Sequence, residues 1–192
     1  MHKADIRKLY LEKRRSLTSA AVEELSRRIH DKFFESTDLS GVSVLHTFIP
    51  IERFHEVDTS MIVKTIWRDH PRITTATSIS GPDPTELEHA EVGPATKYNV
   101  SKFGIKEPAG ERRVEPAEID LVVVPLLAID RRGFRVGYGK GLYDRFLAKC
   151  RPDCVTVGVS LFPPIDAIDD VAAHDVPLDR CITPDETISF QN

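Results

Sequence analysis

The 192-residue chain carries 30 acidic and 26 basic side chains and 41% apolar residues, which suits a single domain over residues 1–192 and gives no electrostatic reason for nucleic-acid binding. No apolar run approaches the ~18 residues that a membrane span needs. The opening MHKADIRKLYLEKRRS has no apolar core of the secretory kind, so the expectation is a cytoplasmic protein without a membrane partner. Cys150, Cys154 and Cys181 are odd in number and lack a second Cys or His pair at zinc spacing, so they read as free packing thiols.

From the N-terminus, residues 3–15 have helical spacing. Advancing ~100° per residue places Arg7 and Arg14 within ~40° of Lys3, with Tyr10 beside them and Ile6 and Leu9 on the adjoining buried face. A basic stripe bordering the core suits side chains that reach into a cleft, and Arg15 points away from it. The competing reading is a solvated basic face. A second helix follows Ser19, with Val22, Leu25, Ile29 and Phe33 as its apolar seam.

Residues 42–49 read as the first strand, closed by Pro50. Glu56 and Asp58 flank Val57 on one side of an extended segment, so both can face a cleft. Asp58 and Thr59 also offer N-caps for a helix through Ile62, Val63, Ile66 and Trp67, and the two roles of Asp58 compete. Residues 72–79 are another β-rich run. Prolines, glycines and charges dominate 80–118, where strand-like fragments at most are expected.

The run 121–127, LVVVPLL, is a short apolar strand. After it, residues 135–144 read RVGYGKGLYD, with Gly137, Gly139 and Gly141 at alternate positions around Lys140, and a helix is expected over 142–149. Glycines admit positive φ and let backbone N–H groups approach a phosphate, while lysine supplies the counter-charge. Strand, glycine loop and helix is the order that aims a helix start at an anion. The spacing is not that of the Walker loop, and a plain hairpin is the bland alternative. Asp144 in a first helical turn complements the dipole without any metal, and Asp175 suits a turn before Pro177. His174 has no identifiable partner and reads as a hydrogen-bonded structural histidine. A last strand is expected at 155–160. Alternating strands and helices imply an α/β sandwich with a mostly parallel central sheet and ligands at the carboxyl ends of its strands.

Residues 125–145, PLLAIDRRGFRVGYGKGLYDR, resemble the signature of the 5-formyltetrahydrofolate cyclo-ligase (methenyltetrahydrofolate synthetase) family. KADIR at 3–7 resembles its N-terminal Lys-x-x-Leu-Arg element, with Ile6 for the leucine. EVDT at 56–59, FGIKEP at 103–108 and HDVPLD at 174–179 resemble three further elements, in the family's order. The resemblance implies a three-layer α/β/α fold related to the sugar-phosphate isomerase and CoA-transferase group. It also implies ATP- and Mg²⁺-dependent closure of 5-formyltetrahydrofolate to 5,10-methenyltetrahydrofolate; a monomer is expected, with this small molecule as its partner.

Carried over residue by residue, Lys140 and Arg135 become the catalytic cations. Lys3, Arg7, Arg14, Arg135, Gly137, Tyr138, Gly139, Lys140, Gly141, Leu142 and Tyr143 become the nucleotide contacts. Glu56, Asp58, Tyr138, Gly139, Lys140, Gly141 and Leu142 become the folate contacts. Asp144 and Asp175 become the Mg²⁺ ligands, with Asp179 as rival to Asp175. Leu142 departs from the family's usual aromatic. The alternatives are a non-catalytic folate- or nucleotide-binding protein of the same fold and, on fold analogy alone, a sugar-phosphate isomerase or CoA transferase.

Overall fold

A computed structural model describes residues 1–100 and 106–190 of the chain. Residues 103–105 of the FGIKEP element lie outside the described residues. Helix α1 (Lys3–Arg15) buries Ile6, Tyr10 and Arg14, one side chain per turn. Leu9, expected on that buried face, is instead 36% exposed, because the buried stripe follows the i, i+4, i+8 line through Ile6. Helix α2 (Ser19–Ser36) starts on Thr18, whose hydroxyl accepts the Ala21 N–H at 3.2 Å, and it buries Val22, Ile29 and Phe33 as expected.

Strands β1 (Val44–Thr47) and β2 (Thr74–Ser80) flank helix α3 (Ser60–Asp69) in sequence. Strand β3 (Leu87–Val92) and the hairpin of β4 (Tyr98–Val100) and β5 (Lys106–Pro108) follow. Strand β6 (Leu121–Pro125) leads into a two-residue ribbon of β7 (Ala128–Ile129) and β8 (Arg135–Val136), then helix α4 (Leu142–Leu147). Strands β9 (Val155–Val159), β10 (Arg180–Ile182) and β11 (Thr187–Ser189) complete the chain.

The central sheet runs β11-β10-β9-β6-β1-β2-β3, with five parallel strands and an antiparallel strand at each edge. Side-chain alternation sorts it into two faces. Leu45, Leu121, Val123, Val157, Val159 and Ile182 meet Ile29 and Phe33 of α2 and Ile62 and Ile66 of α3. Ala76, Val122, Val124 and Cys181 meet Phe146 and Leu147 of α4 on the other. Helices on both faces make the expected three layers, and the central strands are apolar on both sides, as a doubly covered parallel sheet requires. A third cluster, Ile6, Tyr10, Leu127, Ala128, Val136 and Ile168, seats α1 beyond the carboxyl end of β6.

Several boundaries differ from the sequence reading. The run 121–127 ends as a strand at Pro125 because Leu127 donates instead to the Val136 carbonyl of the ribbon at 2.7 Å. The stretch 80–118 holds a true sheet strand. LEHAEV has weak β-propensity, yet its six residues pair in register with β2. Strands β10 and β11 escaped the sequence reading as three-residue segments among prolines and charges. All three cysteines are free thiols.

Candidate functional site

The glycine loop follows β8 at the carboxyl end of β6. Gly139 has φ 89° and Gly141, which precedes α4, has φ 64°, conformations that L side chains adopt only at a cost. Arg7 lies along the loop: its Nε donates to the Gly137 carbonyl at 2.9 Å, and a Cβ on Gly139 would stand 3.1 Å from its guanidinium carbon. Arg145 braces the loop from the other side, donating to the carbonyls of Lys140 at 2.8 Å and Thr85 at 2.7 Å. Lys140 is exposed, and its ammonium has no hydrogen-bond or ion-pair partner among the described residues.

Both expected metal-binding carboxylates are paired with expected phosphate-binding cations. Asp144 Oδ1 accepts from Arg135 Nη2 at 2.7 Å and from the Val176 N–H at 3.1 Å. The Arg135 side chain is only 5% exposed and also donates to the Val176 carbonyl at 2.7 Å. Burial lowers the guanidinium pKa, and Asp144 opposes that shift. Asp175 accepts from Lys3 Nζ and from the Ala172 N–H. Burial pushes the Asp175 carboxyl up, but Lys3 and that N–H outweigh it and hold it below the usual range. Val176 thus joins Asp175 to Asp144. Asp179 is engaged elsewhere, accepting from the N–H and hydroxyl of Thr156 in β9, both at 2.7 Å. His174, read as a hydrogen-bonded structural residue, is exposed beside this segment.

No group of three or more metal-ligating side chains occurs among the described residues. Two carboxylates are nevertheless the usual protein share of a Mg²⁺ site whose remaining ligands are phosphate oxygens and waters, so this donor set fits Mg²⁺ together with a nucleotide.

The third part of the site joins three elements. Glu56 is buried, with Oε1 accepting from the Tyr138 hydroxyl at 2.6 Å and Oε2 from the Ile51 N–H at 2.8 Å. Arg14, expected on the cleft-facing stripe, turns inward and is 3% exposed. Its Nη2 donates to the Leu126 carbonyl, and its Nη1 stands 3.5 Å from the Tyr138 hydroxyl. Asp58 closes the start of α3, its Oδ1 accepting from the Ser60 N–H at 2.9 Å. The N-cap itself is Thr59, whose side chain makes no capping bond, so Asp58 supports the helix start from one residue outside it rather than as the expected N-cap.

Leu142 and Tyr143 begin α4, half-buried, with the Tyr143 hydroxyl enclosed and without a partner of good geometry. Near it, His46 Nε2 lies 3.1 Å from both Ser78 Oγ and His89 Nδ1, and both imidazoles are buried. This histidine pair and Arg145 went unmarked in the sequence. His46 and His89 sit 43 residues apart with no motif spacing, and only the β1–β2–β3 pairing brings them together.

The profile of the 5-formyltetrahydrofolate cyclo-ligase family matches residues 1–184. The 5-formyltetrahydrofolate cyclo-ligase of Mycolicibacterium smegmatis is 27% identical over 190 residues, covering 95% of this chain and 93% of that protein. The probable 5-formyltetrahydrofolate cyclo-ligase of Schizosaccharomyces pombe is 31% identical, but the match spans 46% of this chain and only half of that protein. Among solved structures, the 5,10-methenyltetrahydrofolate synthetase of Aquifex aeolicus superposes with a TM-score of 0.77 at 27% identity, covering 100% of this chain and 94% of that one. A synthetase from Mycoplasma pneumoniae shares the fold at a TM-score of 0.75 and 22% identity, covering 96% and 99%. With its signature loop, N-terminal helix and acidic C-terminal segment assembled at one end of the sheet, the chain belongs to the 5-formyltetrahydrofolate cyclo-ligase family and is an enzyme of folate metabolism.

Proposed function

We propose that this enzyme uses Mg²⁺ and ATP to close 5-formyltetrahydrofolate to 5,10-methenyltetrahydrofolate, releasing ADP and phosphate through a phosphorylated formyl intermediate. The observation that carries the reading is the Lys140 ammonium, unpaired among the described residues, at the centre of a positive-φ glycine loop, with Arg7 lying along the loop and two carboxylates joined beside it.

The formyl oxygen is an amide oxygen and leaves poorly. Transfer of the γ-phosphoryl group to it converts it into a phosphate ester. The neighbouring folate amine then attacks the formyl carbon, a C–N bond forms, the C–O bond breaks with phosphate carrying off the oxygen, and the amine loses its proton. Such a reaction is governed by alignment and charge stabilisation.

In this account the backbone N–H groups of residues 137–141 and the Lys140 ammonium cradle the transferring phosphoryl group. Arg7 and Lys3 meet the rest of the triphosphate, with Lys3 exchanging Asp175 for phosphate oxygen. Asp144 and Asp175 would hold Mg²⁺, which supplies charge neutralisation on the phosphates. Arg135 is enclosed and acts through Asp144, fixing that carboxylate and the 172–176 segment against the loop. Tyr138 offers a ring that is 41% exposed to the flat pterin, and the second oxygen of Asp58 is an acceptor for pterin N–H groups.

The test is absorbance of the methenyl product. Product is expected only when 5-formyltetrahydrofolate, ATP and Mg²⁺ are all present. Turnover without ATP, or none with correctly folded protein, would falsify the reading.

A further inference from the structure

Tyr138 is an exposed side chain flanked by two glycines, a setting in which both backbone and ring are ordinarily loose. Here its hydroxyl is fixed from beneath by two buried charges contributed by different parts of the chain. Glu56, 6% exposed, comes from the connection between β1 and α3, and Arg14, 3% exposed, from the last turn of α1. The ring also packs on Phe54 of the same connection, with centroids 5.6 Å apart. Two backbone contacts hold the frame: Arg14 Nη2 on the Leu126 carbonyl, just past β6, and His55 Nδ1 at 2.8 Å from the Arg14 carbonyl. His55 reaches it from a left-handed backbone conformation at φ 46°.

Both charges are too enclosed to meet a nucleotide, and both converge on one hydroxyl. We propose that Arg14 and Glu56 are positioning residues that clamp Tyr138 as a rigid stacking platform for the flat ring of the folate, and that Arg14 is not a nucleotide ligand. This rests on the folate-closing reading above. Burial and the Glu56 carboxylate both push the Tyr138 phenol above its ordinary range, so it stays protonated and remains the donor to Glu56. A ring held in place before substrate arrives loses less freedom on binding, so the clamp is expected to show in folate affinity.

The experiment compares Tyr138→Phe, Glu56→Ala, Glu56→Gln and Arg14→Met with the parent, measuring kcat and both KM values. Removing a hydrogen bond to a charged partner is expected to raise the folate KM about tenfold in Tyr138→Phe and Glu56→Ala while leaving the ATP KM unchanged. Glu56→Gln, which keeps an acceptor, should recover much of the loss. Tyr138→Phe combined with Glu56→Ala should be no worse than the poorer single variant, since both break the same contact.

A second readout does not depend on the reaction: trypsin cleavage after exposed Lys140 should be faster in each clamp variant than in the parent. If Arg14→Met fails to fold, Tyr138→Phe and Glu56→Gln carry the test, because both retain the bulk of the side chain. A raised ATP KM with an unchanged folate KM in Arg14→Met, additive effects in the double variant, or unaltered cleavage after Lys140 would overturn the clamp. A parent enzyme inert toward 5-formyltetrahydrofolate would instead overturn the functional reading, with the cleavage rates still deciding whether the loop is clamped.

Discussion

Lys140 stands apart from the other cations of the site because its ammonium has no hydrogen-bond or ion-pair partner among the described residues. Lys3 is matched by Asp175, Arg135 by Asp144, and Arg7 by a loop carbonyl. A free ammonium on an open loop contributes little to stability but is available to charge that develops during transfer. Lys140→Ala is therefore expected to lower turnover by ~10²-fold with the melting temperature unchanged, whereas Arg7→Ala should chiefly raise the ATP KM, by roughly tenfold. Arg15→Ala, on the exposed side of the same helix, should match the parent. Equal and small effects at Arg7 and Arg15 would make α1 a packing element only. At this scale the sequence was readable where a side chain's position follows from its place on a helix: Lys3 reaches Asp175 and Arg7 reaches the glycine loop. It put Arg14 on the cleft-facing stripe, whereas the side chain is buried, because angular position places a side chain on a stripe but says nothing of whether a carbonyl and a phenol await it inside.

At the scale of elements, β1, β2 and β3 bring His46 and His89 together behind α4, in contact with Phe146 at centroid distances of 4.8 Å and 4.0 Å. Burial lowers both imidazoles: His46 lies well below its ordinary value, and His89 is pushed down to about 4, with Lys149 adding to the shift. As pH falls below ~6.5 the unfolded chain takes up protons that the folded one refuses until it approaches the depressed native values. The stabilisation is thus complete above that pH and is lost on acidification. For His89 the loss amounts to about 2 kcal/mol at pH 5. Replacing His89 with Met should flatten the fall in melting temperature between pH 7 and pH 5. An unchanged slope would mean that the pair is solvated or already protonated. Strand β3 shows why elements were harder to read than motifs: LEHAEV looks like a polar excursion until β2 supplies its hydrogen-bond partner.

Over the whole molecule, the alternation of strands and helices was enough to expect an α/β sandwich with a mostly parallel sheet, the family resemblance implied three layers, and the doubly covered sheet bears both out. What linear order conceals is convergence. The N-terminal helix, the β1–α3 connection, the glycine loop and the 172–176 segment all meet at one end of the sheet, although Lys3 and Asp175 are 172 residues apart. That convergence supports a reaction in which phosphoryl transfer and ring closure happen in one place, with the formyl oxygen leaving as phosphate. The most direct measurement is to supply 5-formyltetrahydrofolate labelled with ¹⁸O in the formyl group, together with unlabelled ATP, and analyse the released phosphate by mass spectrometry. One labelled oxygen per phosphate is the expected result. Unlabelled phosphate, with the label recovered in water or retained on the folate, would contradict the phosphorylated intermediate and with it the role given to Lys140.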